Sequence, residues 1–116
     1  MTGARMAAIF RADLPLPPGK LAAQAGHAFL TSWRRAVRSA AETYADAEQT
    51  KVVLVAPDEA ALRRIAARAT ERGVACALIT DAGRTVLPEP AVTVLGLGPM
   101  TRTDYNSLTR GLELMT

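Results

Sequence analysis

Lys20, Gln24 and His27 stand at i, i+4 and i+7 in "GKLAAQAGHA". On a helix this spacing puts an ammonium, a carboxamide and an imidazole on one face. His27 is the only histidine in the chain, and it can take up and release a proton near neutral pH. Lys20 falls near the start of the helix, where the dipole adds positive potential. A phosphate or a developing oxyanion is favoured there. These residue types suit proton transfer beside stabilised negative charge.

"DAGRT", Asp81 to Thr85, is a second cluster. Gly83 permits a sharp turn that other residues resist. The Asp81 carboxylate can orient a cation, an imidazole or a water. Arg84 can grip a phosphate through its planar fork. Thr85 offers a hydroxyl as nucleophile, as donor or to place a water. Read as structure alone, the cluster is a polar turn with an Asp bonded to its own backbone. A lone histidine on a helix is usually structural; Lys20 and Gln24 on the same face favour chemistry for His27.

Other chemistries lack their residues. "PPGK" has no glycine at the required upstream place, and Leu21 follows Lys20 where a phosphate-binding loop needs Ser or Thr. No G-x-S-x-G elbow is present. One His, one Cys and scattered carboxylates give no metal-ligand spacing, so no metal is expected. Cys76 lies in the apolar stretch "VACALI" and reads as a small core residue in a reducing compartment. The start "MTGARMAAIF" lacks a signal-peptide pattern. No run approaches the roughly 20 apolar residues that span a bilayer. A cytoplasmic protein without membrane contact is expected.

Net charge is +3 and the pI about 9.6, compatible with a polyanionic partner. The aromatic share of 4% argues against a stacking platform for single-stranded RNA.

The elements that must position these residues follow from pattern. The 116 residues fit one domain, 1–116, with a core that needs no disulfide. Met6 to Arg11 predicts a first strand. Pro15, Pro17 and Pro18 keep the next stretch a loop, and Pro17 or Pro18 opens a helix from about Gly19 to about Arg38. Leu30, Trp33 and Val37 form its apolar stripe, with Trp33 as a core or interface anchor. Arg34, Arg35 and Arg38 read as a solvated face. "AAETYADAEQ" predicts a short helix or an irregular turn.

Lys51 to Ala56 predicts a buried strand. Asp58 caps a helix over about Glu59 to Arg72, and Gly73 suits its end. "VACALI" and "AVTVLGLG" predict two antiparallel strands, because the connection between them is too short for a helical crossover. Thr103 or Asp104 caps a last short helix that Gly111 ends. The sum is a four-stranded mixed sheet with helices on both faces. Ligands bind beyond the carboxyl ends of parallel strands in such sheets. Asp13 and Asp81 follow two of these strands and are expected to share one crevice beside the start of the first helix.

The two clusters together carry a resemblance. "RADLPLPPGKLAAQAGHAF" resembles the first signature of type II peptidyl-tRNA hydrolases, D-L-x-x-x-x-G-K-x-A-A-Q-x-x-H-A. "LITDAGRTVLPEPAVTVLGLGP" resembles the second, a D-A-G-R-T turn followed by a T-V-L-G-x-G-P strand. "KVVLVAPDEAALRRIAARATERGV" is similar to the second strand and middle helix of that family. The resemblance implies a three-layer α/β/α sandwich around a four-stranded mixed sheet. It implies cleavage of the ester that joins a peptide, or an N-blocked aminoacyl group, to the 3′ ribose of tRNA. No metal or organic cofactor and a homodimer are implied. The implicated catalytic residues fall on Lys20, His27, Asp81 and Thr85, with Gln24, Arg84 and Asp13 as substrate-binding candidates. Water and Thr85 both stand as nucleophiles. The rival readings are a non-catalytic RNA- or protein-binding module on the same scaffold, and hydrolysis of another small ester or amide.

Overall fold

β-branched and small apolar runs alternate with helical stretches along this chain, and each becomes an element. The structure, a computed structural model, describes residues 3–82 and 89–116. Among these residues, β1 (Arg5–Arg11), β2 (Thr50–Ala56), β3 (Cys76–Asp81), β4 (Ala91–Met100) and β5 (Glu113–Leu114) form one sheet in the order β3-β4-β1-β2-β5. β1 and β2 are parallel; β4 runs antiparallel to β1 and to β3. The carboxyl ends of β1 and β3 and the start of β4 therefore lie at one end of the sheet. The sheet has one strand more than expected: the two-residue β5 pairs antiparallel with Leu54 and Val55 at the edge. Its residues are exposed, so no apolar alternation announces it.

Alternation along β1 divides the core. Ala7 and Ile9 pack with Leu62, Ile65 and Ala69 of α3 (Glu59–Glu71), while Ala8 and Phe10 pack with Ala28 of α1 (Pro18–Arg35). Helices thus cover both faces, and the architecture is the α/β/α sandwich. α1 lies very close to β4. A Cβ at Gly96 would overlap the backbone carbonyl of Ala28. One turn on, the buried Ser32 hydroxyl donates to the Gly98 carbonyl at 2.8 Å.

Three boundaries differ from the expected ones. α1 stops at Arg35, because Ala36 and Val37 are extended, and α2 (Arg38–Ala45) starts afresh. The Trp33 indole N–H donates to the Ala41 carbonyl at 2.9 Å and holds the two helices together. Val37, placed on the apolar stripe by spacing, is exposed, as is Leu30. Finally, α4 (Arg102–Leu108) is capped by Thr101, whose hydroxyl accepts from the Asp104 N–H at 3.1 Å. The strand ends at Met100, so the helix begins before Thr103 and Asp104, which fall within its first turn.

Candidate active site

Asp81 is the last residue of β3. It alternates with Ala77 and Ile79, which face α1, so its carboxylate points to the same side. It is buried, at 5% exposure. Lys20 sits in the first turn of α1 and forms an ion pair with Asp81. A lysine there works against the helix dipole, and α1 has neither an acidic residue in its first turn nor a side-chain cap. Asp81 supplies the missing negative charge from the neighbouring strand.

Gln24, one turn further along α1, is buried and accepts a hydrogen bond from the Thr93 hydroxyl at 2.6 Å. Sequence reasoning missed Thr93. In an unbroken strand Thr93 would share the α3 face with Leu95 and Leu97. The β3–β4 register slips instead: Ile79 pairs with Val94 but Thr80 with Val92. Thr93 is the extra residue of this bulge, which re-aims it toward α1. The available signal was a hydroxyl inside the apolar run "VTVL", read together with a glutamine that needs a partner.

His27 is exposed on the shoulder of α1, and its ring makes no hydrogen bond or ion pair among the described residues. Seven residues place it about 10 Å along the helix from Lys20. The structure aligns it with Lys20 but does not bring it into contact with the Lys20–Asp81 pair.

The Asp13 carboxylate is held by Arg11. Its two carboxylate oxygens accept from Arg11 Nε at 2.7 Å and Nη2 at 2.9 Å. Arg11 alternates with Ala7 and Ile9 and so lies on the α3 side. These hydrogen bonds from Arg11 hold the Asp13 carboxyl below the usual carboxylate range, and the same bonds raise the Arg11 value. Arg84 and Thr85 lie outside the described residues.

The described residues contain no group of three or more His, Cys, Asp or Glu placed to hold a metal ion. No described helix is long and apolar enough to cross a membrane. The site offers an ammonium against a carboxylate, at the mouth of a helix and the end of a strand. That set can polarise a water or hydroxyl and stabilise a negative oxygen.

Comparison with known proteins gives the family. The model of the family "Peptidyl-tRNA hydrolase PTH2" matches residues 4–115. Peptidyl-tRNA hydrolase 2 of Saccharomyces cerevisiae is 36% identical over 95% of this chain, which spans 57% of that relative's length. Peptidyl-tRNA hydrolase of Methanopyrus kandleri is 39% identical over 92% of this chain and 94% of its own. A solved structure of a protein of unknown function from Agrobacterium tumefaciens covers the whole of both chains at a TM-score of 0.62 and 22% identity, and so shares the fold. With a family match of this extent, and relatives alike along nearly the whole chain, the protein belongs to the Peptidyl-tRNA hydrolase PTH2 family.

Proposed function

We propose that this protein hydrolyses peptidyl-tRNA, cleaving the ester between a peptide or N-blocked aminoacyl group and the 3′ ribose. The observation that carries the reading is the Lys20–Asp81 ion pair at the uncapped start of α1. The names of the yeast and archaeal relatives support the choice of substrate.

The reaction transfers an acyl group to water. A water oxygen attacks the ester carbonyl while its proton passes to Asp81 or His27, directly or through Thr85. The carbonyl oxygen gains negative charge, which the Lys20 ammonium and the N–H groups opening α1 stabilise. The C–O bond to the ribose then breaks and the ribose oxygen takes up a proton. The Thr93 hydroxyl fixes the carboxamide of Gln24 beside this path, where it can meet substrate. Arg84 holds a tRNA phosphate or orients Asp81. Direct attack by Thr85 would instead leave an acyl-enzyme, which rapid-quench mass spectrometry distinguishes from attack by water.

An ester has a reasonable leaving group, so alignment and charge stabilisation suffice and the reaction runs without a metal. The protein acts in the cytoplasm as a homodimer. The unpaired Cys76 supports a reducing compartment, and the exposed Leu30 and Val37 support a partner surface. Light scattering reads the oligomeric state. The test of function is single-turnover release of tRNA from acetylaminoacyl-tRNA by purified protein, with and without a chelator. Release in both arms is expected; binding without ester loss would mark a non-catalytic module.

A further inference from the structure

We infer that Arg11 is a positioning residue for this reaction, holding the connection into α1 in register with the start of β4; this rests on the hydrolase reading above. Arg11 ends the central strand β1, and its side chain is 17% exposed. Its guanidinium reaches three separate segments. Nε and Nη2 donate to both oxygens of Asp13, in the connection that leads into α1. Nη1 donates to Glu59 Oε1 at 3.2 Å, at the first residue of α3. The same Nη1 donates to the Val92 carbonyl at 3.1 Å, next to Thr93 in β4.

The need for such a clip follows from how α1 is held. Its middle is seated on the sheet by the close approach at Gly96 and by Ser32. Its first turn, which carries Lys20, has no side-chain cap. Lys20 must nevertheless meet Asp81 on β3, and Gln24 must meet Thr93 on β4. One planar side chain ties the connection before α1 to the strand that bears Thr93. Asp13 and Glu59 balance its charge, which leaves it poorly suited to a phosphate. A lysine keeps the charge but loses the two-pronged fork. In this arrangement Asp13 contributes through Arg11 rather than by touching substrate.

Arg11→Lys, Asp13→Asn and the double variant test this, with steady-state release of tRNA, thermal unfolding and amide hydrogen exchange over residues 12–24. Asp13 is exposed, so Asp13→Asn keeps the fold with at most a small fall in its unfolding midpoint. The expected result is a kcat lower by about ten- to hundredfold with KM unchanged. Exchange in the first turn of α1 should quicken, Asp13→Glu should recover part of the rate, and the double variant should be no worse than Arg11→Lys. Full kcat in both single variants would overturn the inference. So would a higher KM with a weaker salt dependence, the mark of a phosphate contact. If the unaltered protein released no tRNA, the hydrolase reading would fall; unchanged exchange in the variants would overturn the clip whatever the activity.

Discussion

Lys20 and Asp81 come from opposite parts of the chain and meet as an ion pair, the first from the opening turn of α1 and the second from the last residue of β3. Asp81 is buried and Lys20 nearly so, which makes the pair costly to split. Lys20→Met should destabilise the protein by roughly 3 kcal/mol, because it removes the ammonium that balances a buried carboxylate. Lys20→Met combined with Asp81→Leu should regain most of that loss while remaining inactive. Chemical denaturation and tRNA release on the same samples separate the two effects. Asp81→Asn alone should lower kcat by about a hundredfold or more if the carboxylate takes the proton.

His27 separates activity from stability in a different way. Its ring is exposed and without a partner among the described residues, so His27→Ala should leave the unfolding midpoint unchanged. If the imidazole moves a proton, kcat should fall by about a hundredfold. An unaltered rate would assign the proton to Asp81.

Thr93 makes its case through one hydroxyl. Thr93→Val keeps the shape but removes the donor to Gln24, leaving a buried carboxamide oxygen unsatisfied. The expected cost is about 1–3 kcal/mol of stability. The rate should fall less than in Asp81→Asn. Gln24→Met added to Thr93→Val should cost less than the two changes separately, which a double-mutant cycle measures.

Tyr44 predicts an alkaline weakness. Burial pushes its hydroxyl from the usual 10.0 up to about 12, and the hydroxyl donates to the Thr50 carbonyl at 2.9 Å. The unfolded chain ionises first, so this contribution is complete below about pH 10 and is lost as pH rises from about 10 to about 12. Tyr44→Phe should be less stable at neutral pH, having lost the hydrogen bond, yet show a shallower decline over that alkaline window. Denaturant midpoints along a pH series read both effects.

The features readable from sequence were those set by local chemistry. Asp58 and Gly73 bracket α3 as their types require, and the short connection between β3 and β4 forces them antiparallel. The order of motifs brought Lys20 and Asp81 to one end of the sheet. The rest depended on distant contacts. No Gly or Pro marks the break after Arg35; it follows from α2 folding back against Trp33. Thr93 faces α1 because a bulge breaks the two-residue alternation, and a bulge has no signature in "VTVL". Asp13 follows β1 as expected, but its bond to Arg11, two residues earlier, was not legible in the sequence.

The most direct test is single-turnover release of tRNA by the unaltered protein and by Asp81→Asn, both confirmed folded. The account predicts rapid ester cleavage by the first and a loss of about a hundredfold or more in the second. Equal cleavage by both, or tight tRNA binding with the ester left intact, would contradict it.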